Sequence, residues 1–283
     1  MPQIQTKYVK LNYVEQGDGY NIVVFIHGNL ACIDWMNLVL PKLPESIHYY
    51  AIDWRGCGNS EKPKPTSDYS NYSMFQHAQD MIDAIRQLGI KRCHLANHST
   101  GGIICTHMLL IAPNMFNKLL CLDPVGPMGL NLSENINLFD AMKQDRDLTY
   151  AVLATAAPTL FDPLSLQEGH QPQFARHTTQ EQKDLYGHLV NQAMKVSDGI
   201  WSGVPINLTK EFESGALRER QSEIAHEHLI LWGEQDQWIP RAHMDEMVQR
   251  MPNCTLKVLQ GVGHACNLED PGRFAELFCN YFK

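Results

Sequence analysis

Ser99 is the residue whose surroundings most clearly suggest chemistry. It lies in the run Asn97-His98-Ser99-Thr100-Gly101, between an apolar stretch that ends at Ala96 and a helical pattern that begins at Ile103. A serine on a tight turn from a buried strand into a helix exposes its hydroxyl, and the next backbone N–H can point at a developing oxyanion. The usual pattern is Gly-x-Ser-x-Gly, and Asn97 replaces its first glycine. We expect Asn97 to be accommodated by a displaced helix or by a positive φ of its own, which asparagine adopts more readily than most residues.

An acid and a base for this serine follow it along the chain. A serine hydroxyl needs a base to take its proton and a third group to hold that base in one tautomer. Asp236 comes after the apolar run that ends at Trp232, and His264 comes after the run that ends near Leu259. Open parallel sheets place their sites at the carboxyl ends of the strands. We therefore expect all three side chains at one edge of a sheet.

Short apolar runs rich in β-branched residues alternate with helical patterns over most of the chain. This alternation is typical of a parallel sheet covered by helices. We predict strands at 21–26, 49–52, 93–97, within 114–123, at 229–232 and at 255–259.

Helices are expected between these strands. The spacing of Trp35, Leu38, Val39 and Leu43 predicts a helix after the first of the strands. Ser73 is expected to cap a helix that runs to about Leu88 and stops at Gly89. Further helices are predicted at 103–111, at about 241–250 and around the apolar stripe of Phe274, Leu277, Phe278 and Tyr281.

The alternation stops between about Pro124 and His226. Helical patterns and loops rich in His, Met, Gln and Pro take its place. We therefore divide the chain into a core at 1–126, a helical cap at 127–226 and the rest of the core at 227–283. Apolar side chains of the cap either line an acyl or alcohol pocket or pack its own helices. They are Leu153, Leu160, Phe161, Phe174, Leu185, Met194 and Trp201.

Composition and charge exclude several classes of protein. The net charge of -8 and the pI near 5.9 argue against a nucleic-acid partner. No apolar run approaches the roughly 20 residues of a membrane-spanning helix, and the amino terminus has no apolar signal-peptide core. The eight cysteines are scattered singly, without a C-x-x-C pair. We expect a cytoplasmic protein whose cysteines stay as thiols.

Taken together, these motifs resemble the α/β-hydrolase superfamily along nearly the whole chain. The matching motifs are the His27-Gly28 loop, the Asp53–Ser60 loop, the Ser99 turn, the Asp236 loop and the terminal His264. The resemblance implies a mostly parallel central sheet flanked by helices, with a helical cap inserted after the strand that ends near Asp123. It also implies that Ser99 is the nucleophile, His264 the general base and then acid, and Asp236 the residue that orients the imidazole.

The resemblance implies further roles around this triad. The backbone N–H groups of Thr100 and Asn29 would form the oxyanion hole, with Leu30 as a rival to Asn29. Asp123 occupies a second place from which hydrolases of this type can present their acid. Substrate-binding candidates are Leu30, Trp35, His98 and Trp238. We expect no cofactor, since Gly56-x-Gly58 lacks the rest of a dinucleotide motif, and no metal.

The substrate expected from these residues is a medium-sized, largely apolar carboxylic ester, lactone or thioester, cleaved through an acyl-enzyme on Ser99. His27-Gly28-Asn29 is similar to the loop of haloalkane dehalogenases, but those enzymes use Asp as nucleophile. The Ser-Thr-Gly-Gly run at 99–102 is similar to bacterial aryl esterases and cofactor-free haloperoxidases. A C–C bond hydrolase, a cofactor-free oxygenase or perhydrolase that relies on Asp123, and a small-molecule receptor remain alternatives.

Overall fold

A single twisted sheet organises the molecule. The computed structural model describes residues 2–167 and 169–283. Within them are eight strands: β1 (Gln3–Gln5), β2 (Lys10–Gln16), β3 (Asn21–Ile26), β4 (Ile47–Ile52), β5 (Cys93–His98), β6 (Phe116–Leu122), β7 (Glu227–Gly233) and β8 (Cys254–Leu259). They are ordered β1-β2-β4-β3-β5-β6-β7-β8. The pairs from β4 to β8 are parallel, and β1 and β2 pair antiparallel at one edge.

The sequence predicted the six parallel strands but not β1 and β2. Both lie at the edge of the sheet and are rich in polar residues, with Gln3 and Gln5 exposed at the two ends of β1. An edge strand that faces water needs no continuous apolar run. The pattern of apolar residues therefore does not predict these two strands.

Ten α-helices accompany the sheet in the described residues. They are α1 (Met74–Gln87), α2 (Gly101–Ile111), α3 (Ile136–Gln144), α4 (Arg146–Ala154), α5 (Gln180–Ala193), α6 (Val204–Ser214), α7 (Ala216–Glu219), α8 (Arg241–Arg250), α9 (Cys266–Glu269) and α10 (Pro271–Tyr281). The caps predicted for α1 are confirmed: Ser73 Oγ accepts from the N–H of Gln76 at 3.1 Å, and Gly89 has a φ of 77°.

The helix predicted across residues 35–43 is wrong. Two short 3-10 turns, Ile33–Met36 and Leu40–Lys42, stand there instead. Pro41 lies in the second turn, and a proline inside a helix removes one backbone donor and clashes with the preceding turn. The apolar spacing was real, because Trp35 and Val39 are buried. The backbone that presents them is not an α-helix.

Helices cover both faces of the sheet. Val24 and Ile26 of β3 join the core packed beneath α1 and α2, whereas Val23 and Phe25 join a second core that includes α10. Successive strand residues point to opposite faces, so β3 is apolar throughout. The predicted α/β architecture is confirmed.

Between β6 and β7 the described chain is helical. It contains α3 to α7, a π-helical turn at Gly199–Gly203 and one isolated bridge between Phe161 and Phe174. The apolar residues singled out in this segment are part of, or packed against, the main hydrophobic core. Leu153, Leu160, Phe161, Leu185 and Trp201 are buried in the main core, and Phe174 and Met194 pack against it.

Two findings bear on the protein's surroundings. None of the described helices combines the length and apolar character needed to cross a bilayer. All eight cysteines are unpaired, and seven of them are buried.

A buried ion pair fixes the loop after β4 to α1. The Arg55 guanidinium donates to both carboxylate oxygens of Asp80, at 2.5 and 2.7 Å, and to the carbonyl of Asn71. Burial raises the pKa of Asp80 above its ordinary value, against the lowering effect of Arg55. Burying this ion pair therefore costs free energy. Removing only one of the two residues costs more, because it leaves the other charge buried without a partner.

Asp80→Ala is expected to lower the free energy of unfolding by about 3 to 5 kcal/mol, because it leaves the Arg55 cation buried without a partner. Urea denaturation measures this loss. The exposed Asp18→Ala serves as the control and should stay within about 0.5 kcal/mol of the parent. Replacing Arg55 and Asp80 together by methionine should cost less than Asp80→Ala alone. A loss below about 1 kcal/mol for Asp80→Ala would show that the ion pair does not hold this loop.

Candidate active site

The turn between β5 and α2 presents Ser99 in a strained conformation. β5 ends at His98, α2 begins at Gly101, and Ser99 has a φ of 53°. A non-glycine residue in this region is uncommon and persists where the surrounding structure holds it. The Ser99 N–H donates to the Leu122 carbonyl at 3.0 Å, and the Ser99 carbonyl accepts from Val125 at 2.9 Å. The end of β6 therefore holds Ser99 in this conformation.

The prediction of a positive φ at Asn97 is wrong. Asn97 is an ordinary residue of β5, paired with Ile26 on one side and Cys121 on the other. Its buried side chain donates from Nδ2 to Cys121 Sγ at 3.2 Å. Strand pairing on both sides keeps this backbone extended, so the left-handed residue is Ser99, two positions later.

Glycines after Ser99 permit the close approach of helix and strands. A Cβ on Gly101 would lie 2.3 Å from the Ile26 carbonyl oxygen, and one on Gly102 would lie 2.6 Å from Pro124 Cβ. Gly28 brings the loop after β3 next to the serine, because its Cβ would lie 2.9 Å from Ser99 Cβ. A larger residue at any of these three positions would clash with a neighbour, which explains why each is glycine.

Backbone donors are available on both sides of Ser99. Among the described residues, none accepts a hydrogen bond from the backbone N–H of Thr100, Asn29 or Leu30. Leu30 is buried and has a φ of 54°. Free N–H groups beside a strained serine are the donors that an oxyanion requires.

His264 and Asp236 meet as the sequence predicted. Nδ1 of His264 lies 2.9 Å from Asp236 Oδ2, and Asp236 Oδ1 accepts from the N–H groups of Trp238 and Ile239 at 2.7 and 3.2 Å. Burial alone would raise the pKa of Asp236, but the charge and hydrogen bond of His264 and the two backbone donors lower it. Asp236 is thus held as a carboxylate. Nε2 of His264 is buried and has no partner within the described part of the chain, so it is free to accept a proton.

His98 joins the serine turn to the histidine loop. Its Nε2 lies 2.8 Å from the His264 carbonyl oxygen and must be the donor. Burial, and then the nearby charge of His264, lower the pKa of His98 to about 3, so the ring is neutral. Its centroid lies 4.9 Å from that of His264 and 5.4 Å from that of Trp35. His98 therefore fixes where His264 sits relative to Ser99.

The two tryptophans predicted near the site are in place. The Trp238 ring stacks on His264 with centroids 5.4 Å apart, and its Nε1 donates to Thr155 Oγ1 at 2.9 Å. Trp35 is buried against His98, and its carbonyl accepts from Asn267 at 2.9 Å. Thr155 belongs to the helical segment between β6 and β7, so Trp238 links that segment to the histidine.

Asp53 and Asp123 also lie at this edge of the sheet. Asp53 is buried and accepts from Ile33 N–H at 2.9 Å and from Asn12 Nδ2 at 2.7 Å, so it fixes loop geometry. Asp123 is fully buried, with one polar atom within 4.8 Å of polar atoms of both Asp236 and His264. Within the described residues this is the one group of three acidic, thiol or imidazole side chains that converges so closely.

Sequence reasoning missed Glu269. This partly buried carboxylate accepts four hydrogen bonds: Oε2 from the N–H groups of Gly263 and Ala265 at 2.8 and 3.3 Å, and Oε1 from the N–H and Oγ1 of Thr159 at 3.1 and 2.7 Å. It therefore holds both neighbours of His264. The available signal was an acidic residue five positions after His264, at the end of the short run 265–269.

Glu269→Ala is expected to lower kcat by up to about 100-fold with little change in KM, because the N–H groups of Gly263 and Ala265, on either side of His264, lose the oxygen that accepts from both. Steady-state kinetics with an ester, the substrate class expected from the sequence, measure the effect. Glu276→Ala, which removes an exposed glutamate from α10, is the matched control. Equal activity of the two variants would show that Glu269 does not position His264.

Comparisons with known proteins agree with this architecture. The family model described as the alpha/beta hydrolase fold matches residues 21–271. The chain is 22% identical over 278 residues to Epoxide hydrolase 2 of Caenorhabditis elegans, covering 95% of this chain and 76% of that protein. It is 25% identical over 285 residues to 2-hydroxymuconate semialdehyde hydrolase of Pseudomonas sp. strain CF600, covering 95% and 89%. A solved esterase from Exiguobacterium antarcticum has a TM-score of 0.80 at 22% identity, covering 99% and 98%.

Proposed function

We propose a serine-hydrolase activity for this chain, which belongs to the alpha/beta hydrolase fold family. One observation carries the proposal. Nδ1 of His264 donates to the Asp236 carboxylate at 2.9 Å, and Nε2 has no partner among the described residues. The His264 carbonyl also binds His98, the residue before Ser99. A serine, a base with a free nitrogen and an acid that fixes its tautomer are the parts of nucleophilic acyl transfer.

The proposed reaction begins when Nε2 of His264 takes the Ser99 proton and Oγ attacks the substrate carbonyl. The N–H of Thr100 and an N–H of Asn29 or Leu30 bind the oxyanion. The imidazolium then protonates the leaving alcohol or thiol, and an acyl-enzyme remains on Ser99. Water activated by His264 attacks this ester, and the tetrahedral intermediate collapses to release the acid and restore the serine.

The proposed substrate is a medium-sized, largely apolar ester, lactone or thioester. Trp238 stacks on His264, Trp35 packs against His98, and Leu30 is buried in the loop after β3. Apolar and aromatic surface of this kind suits an uncharged acyl or alcohol group. We propose that residues 127–226 form a cap over this edge. Trp238, Glu269 and Gln182 support that placement, because each joins this segment to the loops that carry Asp236 and His264.

A second candidate is hydrolysis of a carbon–carbon bond. The 25% identity to 2-hydroxymuconate semialdehyde hydrolase, over most of both chains, favours it. An oxygenase that uses Asp123 as its acid is less well supported, because His264 bonds to Asp236. The eight unpaired cysteines support a reducing compartment, and we propose the cytoplasm.

Covalent labelling tests the proposal. A fluorophosphonate probe should label the parent protein stoichiometrically and should not label Ser99→Ala, whereas Ser214→Ala, which removes an exposed hydroxyl from α6, should label normally. A panel of p-nitrophenyl esters of rising chain length, with lactones, thioesters and a vinylogous 1,5-diketone, then separates ester from carbon–carbon cleavage. A parent protein that stays unlabelled would argue for a small-molecule receptor.

A further inference from the structure

Strand register brings a second carboxyl group to the triad. β6 and β7 pair with Leu122 opposite Leu231, and the N–H of Asp123 continues this ladder by donating to the Leu231 carbonyl at 2.8 Å. Asp123 then turns sharply, with a φ of 44°. Its side chain lies within 4.8 Å of Asp236 and His264. Two buried carboxyl groups thus lie beside one imidazole, and Asp236 is the one that bonds to it.

The hydrogen bonds of the two groups differ. Asp236 accepts on both oxygens, from two backbone N–H groups and from His264. Asp123 accepts on Oδ1 from the Gly233 N–H at 2.7 Å, but its buried Oδ2 has no donor among residues 2–167 and 169–283. An ionised oxygen left without a donor or water is strongly disfavoured, and more so beside another carboxylate. A proton on Oδ2 would let Asp123 donate to the neighbouring Asp236 carboxylate.

We propose that Asp123 is a neutral carboxylic acid that donates a hydrogen bond from Oδ2 to the Asp236 carboxylate, and so acts as a positioning residue for the triad. The proton stays on Asp123 throughout the reaction, and His264 exchanges its proton only with Ser99, the leaving group and water. The inference deepens the proposed function, on which its kinetic part rests. Its thermodynamic part concerns the folded protein alone.

Electrostatics agree with this geometry. Burial, and then the charge of Asp236, raise the pKa of Asp123 well above its usual value, against the lowering effect of the Gly233 donor. Other titratable groups that face it are His264, Glu269 and Cys266. Unfolded, the Asp123 carboxyl ionises near pH 4. Between that pH and its raised folded pKa the folded state holds one more proton, so this group's contribution to stability falls as pH rises.

Asp123→Asn distinguishes a neutral positioning residue from an ionised Asp123 that serves as the acid of the triad. The amide mimics the neutral acid, since Nδ2 can donate to Asp236 while Oδ1 accepts from Gly233. We expect kcat/KM of this variant to stay within about threefold of the parent, whereas Asp123→Ala should lower kcat about 10- to 100-fold with KM little changed. An Asp123→Asn variant that is inactive while Asp236→Asn is active would make Asp123 the acid and overturn the inference.

Stability against pH gives a readout that needs no substrate. The urea midpoint of Asp123→Asn should rise relative to that of the parent as pH increases from 5 to 8, because only the parent must protonate a carboxyl group at position 123 on folding. A constant difference, or one that changes in the opposite direction, would mean that Asp123 is ionised. This arm remains decisive if Asp123→Ala fails to fold, and also if the parent proves to have no hydrolase activity.

Discussion

His264→Ala is expected to lower kcat/KM for ester hydrolysis by about 10⁴- to 10⁶-fold, and Ser99→Ala should cause a loss of the same size. The two residues perform one proton transfer together, so the step is lost when either is removed. The double variant should therefore be little slower than each single variant. The remaining activity would come from the N–H groups of Thr100 and its partner loop, and from substrate binding.

Steady-state kinetics on the best ester of the panel measure these losses. His170→Ala replaces an exposed histidine and should keep the activity of the parent. Circular dichroism and the urea midpoint should show that the inactive variants are folded. Losses that multiply in the double variant would indicate that Ser99 and His264 act in separate steps, which the proposed mechanism does not allow.

Asp236→Asn is expected to lower kcat by about 10⁴-fold while the fold is kept. Asparagine can still accept from Trp238 and Ile239 through Oδ1, but its Nδ2 then faces His264 Nδ1. Two donors cannot share a hydrogen bond, so the ring either loses its anchor or adopts the tautomer that carries the proton on Nε2. In that tautomer Nε2 cannot act as the base for Ser99.

The loss should appear in kcat at all pH values where the parent is active, with binding of a substrate analogue unchanged. Asp245→Asn, an exposed change on α8, is the matched control. Retained activity in Asp236→Asn would contradict the acid role proposed here. Since Asp123 is the other carboxyl within reach of His264, its variants would then identify the acid.

Much of the fold and site could be predicted from the chain. The parallel strands are continuous apolar runs, because both faces of the sheet are covered. Ser99, Asp236 and His264 each follow such a run, and the strand order brings the three loops to one edge. Their chain order and loop positions were sufficient to expect the contact of Asp236 with His264, which the structure contains at 2.9 Å.

Other features depend on tertiary contacts that no local pattern contains. The extended backbone of Asn97 follows from its pairing with Ile26 and Cys121. This pairing outweighs the tendency of asparagine to adopt a positive φ. The approach of Asp123 to Asp236 depends on the register between β6 and β7. Glu269 anchors its loop through Thr159, which lies 110 positions away in the chain.

The left-handed backbone at Ser99 has a conformational cost that the proposed mechanism would explain. A side chain in this conformation costs on the order of 1 kcal/mol, which glycine would avoid. Gly28, Gly101 and Gly102 all serve packing around the turn, whereas Ser99, which has the positive φ, carries a side chain. Under the proposed mechanism, the serine at 99 would be kept for its hydroxyl, against the conformational preference of its own turn.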